Sequence, residues 1–565
     1  MADAYDAILI GAGHNALVCA VYLSRAGWRT LVLEQADRPG GAVCSAEATR
    51  PGFIHDLFAT NMNLFLASPI ARQLGGELER HGLHYAQCEH PFANVFPDGK
   101  ALRVHQGTAA TLSELERHDS RDAAGWRALD QLYERLSPAL FSLYGSRLDA
   151  RSLAAVAREQ LPALGLGGTR ELARLLVSST RELAQDYLHT REAQAVLACW
   201  GMHLDFGPDV SGGAMFPLLE AFTDMRAGMA VARGGASRLI DALVALAADH
   251  GAELRTGAEV VRVTVRAGRA AGVELASGER LEASRAVVAG VTPPILYSRL
   301  LADAAPEAIA RAAERYRYGP GTLMLHLALS GPPPWSAGTD LGRFAYVHVA
   351  PYLDDLAATY AQACAGLLPA EPLLVVGQTS AVDPSRADEG HVLWVQVRAL
   401  PAQIAGDALG EIEPRSWPEA GERYAERVLR KLERYAPGIG ELVLDRAILT
   451  PTDLERHNPN LVGGDSIAGS MHLRQNFLFR PFPEVRDYET GVEGLLMVGA
   501  GTWPGAGVNA ISGYNVAQKL LVPPRRRGED VKLALGAARA AAAPLARAGR
   551  RRLGSGARRS GPRPR

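Results

Sequence analysis

A chain of 565 residues, 47% apolar and with a net charge of −1, can bury sizeable cores, and its length calls for two or three interleaved domains. No apolar run reaches the roughly 18 residues that cross a bilayer. Five scattered cysteines (Cys19, Cys44, Cys88, Cys199 and Cys364) form neither a Cys-x-x-Cys pair nor a metal-ligand cluster, which argues against a disulfide framework, a redox-active disulfide and a metal site.

The chain opens on an apolar run, residues 8–10, that ends in Gly11-Ala12-Gly13. With the first strand expected to start at about residue 5, no signal peptide is expected. Apolar residues then recur with helical spacing at Leu17, Val18, Val21, Tyr22 and Leu23, and a second apolar run, Thr30–Leu33, ends at Glu34. Strand, tight turn, helix and strand make half of a dinucleotide-binding fold. Gly11 permits the turn, and Gly13 removes the side chain that would block a diphosphate. His14 and Asn15 open the helix whose free N–H groups and positive dipole end suit that anion. Ala16 fills the third small position of the fingerprint. Glu34, 23 positions after Gly11, suits ribose hydroxyls and would repel a 2′-phosphate.

Gln35, Arg38, the glycine pair Gly40-Gly41 and Ala42 follow. This acid, basic residue and glycine pair resembles the large superfamily of FAD-dependent amine oxidases and phytoene desaturases. There the segment lies along the ribose and diphosphate of the flavin. The resemblance implies FAD as cofactor.

Residues 42–65 resemble the family segment that leads towards the flavin ring. His55 and Asp56 within it read as turn and hydrogen-bonding residues ahead of catalytic ones. From 66 to 230 the spacing is mostly helical, at 154–161, 170–188 and 192–200, interrupted by a hairpin-like piece over 93–104. We read the region as a substrate-binding cap. The stretch from Cys199 to Leu204 reads as aromatic and Met core packing ahead of cavity lining. A helical pattern over 239–250 and strands at 258–263, 271–275 and 286–290 resemble the second FAD segment, in which the backbone beside Val260 or Val261 meets the adenine edge. Residues 296–455 alternate strands (322–329, 391–398) with a helix (422–435) and suggest a mixed sheet under the cap.

The last motif is a buried strand running into Gly499-Ala500-Gly501-Thr502-Trp503-Pro504-Gly505-Ala506-Gly507-Val508-Asn509, with a helix expected over about 508–521. A helix start here stabilises negative charge at one edge of a flavin ring, and Gly513 is expected to let the helix approach that ring. Gly463-Gly464-Asp465, Arg480-Pro481 and the run from Gly499 to Gly507 resemble the phytoene-desaturase-related branch, which includes bacterial carotenoid desaturases and carotenoid isomerases. The resemblance spans residues 5–523. Trp503 departs from it, because relatives commonly have His before the proline.

The expected fold is therefore α/β: a Rossmann-like FAD-binding domain built from discontinuous segments, with a mixed-sheet substrate domain and a helical cap. FAD-binding parts fall at 1–65, 231–295 and 456–523, the cap at 66–230, the substrate domain at 296–455, and a basic tail at 524–565. That tail holds 13 Lys and Arg against two acids, a net +11 that leaves −12 on the rest. Its composition suits a disordered extension. The acidic body carries no nucleic-acid recognition motif.

A flavin itself supplies the hard chemistry, hydride acceptance at N5. No Ser/His/Asp constellation, pair of carboxylates at useful spacing or zinc pattern stands out. His472, Arg480 and His203 are the candidate substrate-side groups, His472 first. No second nucleotide fold is visible, so oxygen or a quinone is the expected electron acceptor. The leading reading is an FAD-dependent oxidoreductase that desaturates a C–C or C–N bond in a largely apolar small molecule. Flavin-dependent isomerisation of a polyene and a non-catalytic flavin-binding scaffold remain alternatives. The expected location is cytoplasmic, with peripheral membrane contact left open and the oligomeric state unspecified.

Overall fold

The computed structural model describes residues 4–522; the basic segment expected at 524–565 lies outside them. Two seven-stranded sheets organise the chain. In the first, Leu495–Met497, Arg280–Ala289, Tyr5–Ile10, Thr30–Leu33 and Glu253–Arg255 run parallel to one another in that order. The antiparallel strands Val260–Arg266 and Arg269–Leu275 extend it beyond Arg280–Ala289. The first strand is Tyr5–Ile10 and takes in the apolar run of residues 8–10. Its neighbours are Arg280–Ala289 from the second segment and Thr30–Leu33 from the first. Leu495–Met497 from the third joins on the far side of Arg280–Ala289, so the sheet draws strands from all three segments.

Tyr5–Ile10, Thr30–Leu33 and Leu495–Met497 are buried on both faces, which is why they read as continuous apolar runs. The helix His14–Arg25 packs on one face through Leu17, Val18 and Val21. Ser237–Asp249 and the final helix, Ile511–Leu521, pack beside it. That last helix begins later than expected. Ala510 stands in the left-handed region at φ +58°, and the Asn509 side chain takes the Ile511 N–H at 2.9 Å.

The second sheet runs Val443–Leu449, Gly321–Leu329, His391–Leu400, Leu373–Gly377, Tyr346–Val349, Phe92–Val95, Ala101–Val104. Tyr346–Val349 and Phe92–Val95 are parallel and the other neighbours antiparallel, so the sheet is mixed. Strand alternation sorts its two faces. Leu323, Leu325, Leu327 and Leu329 join Val395 and Val397 against Trp417, Ala420, Tyr424, Val428 and Leu432 of the helix Trp417–Tyr435. Met324, Tyr346, Val375 and Trp394 share a core with the cap, where Trp126, Trp200 and Phe222 pack.

The cap holds the helices Ser120–Gly145, Ala150–Val177 and Met215–Ala227. Most of Ala150–Val177 faces outwards, and its backbone leaves helical geometry at Gly165. Among the described residues no helix is long and apolar enough to cross a membrane.

Candidate functional site

The turn after the first strand sets the site. Gly11 adopts φ +90°, which a side chain would strain, and its N–H donates to Leu33 O at 2.7 Å. Gly13 caps the first helix without any side-chain partner for the first-turn N–H groups. A Cβ at Gly13 would meet nothing within 4 Å, so open space lies in front of those donors. Gly40 reaches this turn, donating to Ala12 O at 3.0 Å, and Gly41 comes within contact of Gly13. Glu34 closes the far end by accepting Ala12 N–H at 2.7 Å and Ala36 N–H at 3.0 Å. Ala258 and Gly257 donate to Glu34 O and Ala36 O, which brings the strand of Val260 and Val261 to the same edge. Gln35 and Arg38 are exposed, and Ala42 is half-buried.

The first and third motifs meet at the other end of this strip. Asn15 Oδ1 accepts the Ser512 hydroxyl at 2.7 Å, and that hydroxyl oxygen accepts Gly499 N–H at 2.9 Å. Beyond Gly499 a Cβ would again find open space. Ala16 lies against Gly290, and Val508 is buried in the core below. Burial depresses the His14 imidazole to about 4, partly offset by the Gly507 backbone, and leaves it neutral. Gly513 corrects our expectation: a Cβ there would stand 1.8 Å from Asn15 O, so its missing side chain brings the final helix against the first one, not against a ring. Two asparagines escaped the sequence reading. Asn458 Nδ2 lies beside Gly41, and Asn460 donates to Gly290 O at 3.2 Å and accepts Thr292 N–H at 2.8 Å.

A cavity of about 430 Å³ adjoins the end of this strip. Ala506, Asn509 and Ile511 form one wall, and Leu64, Phe141, Leu204, Phe216 and Leu219 supply much of its apolar lining. A larger groove, of about 920 Å³, opens beyond the second sheet between Trp417–Tyr435 and Val443–Leu449. Its walls are mutually paired charges such as Arg430, Arg434 and Arg446 with Glu411, Glu371 and Glu426, and it touches none of the glycine segments. The smaller cavity is therefore the candidate for a reacting ligand.

Two acids sit one turn apart at this cavity, against the expectation of no paired carboxylates. Glu220 lines it, and Asp224 lies beneath, fully buried, accepting Asn63 Nδ2 at 2.5 Å through one oxygen while the other has no partner. Burial pushes Glu220 up to about 7; burial and the neighbouring Glu220 hold Asp224 well above the usual carboxylate range. The sequence signal was present: two acids four residues apart on the largely apolar helix Met215–Ala227.

The three candidate substrate-side residues stand apart from that cavity. Arg480 donates to the carbonyls of Ala500, Thr502, Ser470, Gln475 and Gly469, at 3.0–3.4 Å where ordinary in length, so it clamps the last motif to the preceding loop. His472 Nε2 lies 2.8 Å from Asp205 O and 3.1 Å from the Tyr360 hydroxyl. His203 Nε2 lies 3.2 Å from His348 Nε2 and its ring packs on Trp200; burial, His348 and Arg398 drive it well below the ordinary imidazole range. Of the stretch from Cys199 to Leu204, only Leu204 reaches the cavity wall, while Cys199, Trp200 and Met202 belong to the core. Asp56 is a buried junction: it accepts Ser45 and Thr60 hydroxyls at 2.6 Å and Ala236 N–H at 2.7 Å, and pairs with Arg386 at 3.0 Å.

Comparison with known proteins places this geometry. The profile of a family described as flavin containing amine oxidoreductase matches residues 17–521. A rat pyridine nucleotide-disulfide oxidoreductase domain-containing protein 2 is 28% identical over 550 residues, covering 91% of this chain and 92% of its own. A phytoene desaturase (neurosporene-forming) from Cereibacter sphaeroides is 27% identical, covering 93% and 96%. Among solved structures, a putrescine oxidase bound to putrescine shares the fold with a TM-score of 0.57 at 16% identity, covering 92% of this chain and 99% of its own.

Proposed function

The chain belongs to the flavin containing amine oxidoreductase family and its cofactor is FAD; from that premise we propose that it dehydrogenates a C–C or C–N bond in a largely apolar small molecule. The observation that carries this reading is the junction of two features. The apolar cavity shares Ala506, Asn509 and Ile511 with the last motif, which is tied to the diphosphate turn through Asn15, Ser512 and Gly499.

The residues present fit the cofactor. Uncommitted N–H groups at the start of His14–Arg25 face open space beyond Gly13 and suit a diphosphate, Glu34 suits the ribose, and the space beyond Gly499 suits the ring end. Bound there, FAD supplies the hydride acceptor. The chain's own work is to orient the substrate against the last motif and exclude water. Leu64, Phe141, Phe216 and Leu219 give that wall its apolar character, and the Asn509 side chain fixes the turn before the final helix. We assign the electrons' exit to oxygen or a quinone.

Anaerobic mixing of the FAD-loaded enzyme with a panel of apolar alkenes, alcohols and amines tests the reading. Bleaching of the flavin with a product two mass units lighter supports dehydrogenation. A product of unchanged mass that forms only after the flavin has been reduced beforehand would turn the assignment to isomerisation. No bleaching and no product across the panel would count against both.

A further inference from the structure

The polar groups of the 430 Å³ cavity fall into two sets. Most are committed within the protein. Ser146 donates its hydroxyl to Ser142 O and accepts Trp503 Nε1–H at its carbonyl. Thr223 pairs with Tyr133 at 3.0 Å, Tyr514 accepts Gln73 at 3.3 Å, and Asn509 bonds the backbone of Ala506, Gly507 and Ile511. Two are not. The Tyr144 hydroxyl is buried without a partner, and Glu220, half-buried in the cavity wall, makes neither a hydrogen bond nor an ion pair among the described residues.

A buried donor or acceptor without a partner costs about 1–3 kcal/mol, so the Tyr144 hydroxyl, with the unpaired Glu220 carboxyl near it, is a standing demand on whatever fills the space. The groups that face Glu220 decide what that is. Asp224 lies one turn along its own helix, Tyr144 comes from Ser120–Gly145, Tyr514 from the final helix and Tyr346 from the second sheet. The cation that lines the cavity is Arg72, exposed and bonded to Ala67 O. With no inner cation and a second acid behind it, Glu220 is best neutral, and a neutral carboxyl donates a hydrogen bond. Tyr144, raised by burial and by Glu220 against the smaller opposing effect of the buried Arg480, is a neutral donor too. Two O–H donors with no acceptor, behind an arginine, suit an uncharged oxygen.

We propose that Glu220 and Tyr144 are specificity-determining residues that together donate hydrogen bonds to a carbonyl oxygen carried by an otherwise apolar substrate. The assignment rests on the reading above that this cavity receives the substrate. A charged ammonium head is disfavoured, because it would pass Arg72 and meet two donors.

Calorimetric titration of the FAD-loaded enzyme with 2-octanone, octylamine and 1-octene tests it, with the flavin absorbance followed alongside. At pH 6 the ketone should bind about tenfold more tightly than the alkene or the amine, the scale of one hydrogen-bonding group satisfied or lost. Its affinity should fall about tenfold between pH 6 and 9 as Glu220 loses its proton. Glu220→Gln, whose amide also donates, should keep ketone binding at pH 6 and lose the pH dependence; Tyr144→Phe should weaken it at both pH values. The proposal is overturned if octylamine binds most tightly, if affinity rises with pH, or if ketone and alkene bind equally. These wild-type comparisons stand even where a variant fails to fold. Failure of the functional reading looks different: ligands that bind without perturbing the flavin absorbance would move the substrate site elsewhere, whereas an alkene that perturbs it as strongly as the ketone removes only this inference.

Discussion

In the parallel-sheet layer, none of the seven strands carries a buried charged side chain, nor do the helices His14–Arg25, Ser237–Asp249 and Ile511–Leu521. The second sheet and the cap bury many: Asp122, Asp130, Asp205, Asp224, His326, His348 and Arg398 among them. On the function proposed above, the difference follows from how each layer would hold a ligand. The parallel layer uses backbone N–H groups, helix starts and the absence of side chains at Gly13 and Gly499. The other layer builds its cavity from side chains, and brings ionisable groups into the interior to do so. A backbone site tolerates an apolar frame around it; a side-chain site needs polar atoms in the core, at a cost in solvation.

That contrast is sharpest in acid. His326 and His348 of the second sheet, both fully buried, are held near 3 by burial, and His55, packed on His326, near 4, whereas the parallel layer sets against them the single His14, also about 4. Each is neutral when folded, so the unfolded chain takes up protons first as pH falls below about 6.5. Stability from these groups is complete above that pH and is lost on the way down to 4, at roughly 3 kcal/mol each by pH 4. The sum rivals the whole stability of a domain. The second sheet, which carries Trp335, Trp394 and Trp417 in or beside it, should open before the cofactor layer. Stopped-flow acidification followed by tryptophan and flavin emission checks the order, and flavin release ahead of the tryptophan change would break the comparison.

Two glycines separate frame from site in the parallel layer. Gly13 has an ordinary extended backbone, φ −72° and ψ 161°, and open space at its Cβ. Gly13→Val should leave the unfolding midpoint of the apoprotein nearly unchanged while lowering FAD affinity by roughly 100-fold, about 3 kcal/mol of crowding at the diphosphate. Gly513→Ala should do the reverse. Its Cβ would meet a backbone oxygen that cannot swing aside, so the fold should lose about 3 kcal/mol before any question of cofactor arises. Urea titration against flavin titration tells the two apart, and equal stability losses would show that site and frame are not separable there.

The same contrast explains what the sequence disclosed. A backbone-built site leaves its record as glycine spacing, and Gly11, Gly13, Glu34, Gly40 and the Gly499–Gly507 run could be read directly. Gly513 could be read as a close approach but not as an approach to Asn15, because its partner lies 498 positions away. The start of the final helix was misread because Ala510 takes a left-handed conformation that composition does not signal. Asn458 and Asn460 come from a loop after the second sheet, and their adjacency to Gly41 and Gly290 exists only in three dimensions. Glu220 and Asp224 were legible as acids on an apolar helix. Their importance was not, because it depends on Tyr144 and on the absence of a facing cation, which three separate helices decide together.

Trp503 lies where the two layers meet, and it gives the smallest effect. Its ring packs on Tyr144 and Phe477 at 5.1 and 5.5 Å, and Nε1–H donates to Ser146 O at 3.0 Å, tying the cofactor motif to the end of a cap helix. Phenylalanine keeps the aromatic contact and loses the donor, leaving one carbonyl to find water. Trp503→Phe should therefore cost about 1 kcal/mol in urea unfolding. Its informative consequence is elsewhere: Ser146 and Tyr144 line the cavity, so ligand affinity should shift while FAD affinity stays within about twofold, near RT in energy. A loss confined to FAD affinity would instead assign Trp503 to the backbone-built layer, and the boundary between the two ways of holding a ligand would have to be redrawn on the cap side of the tryptophan.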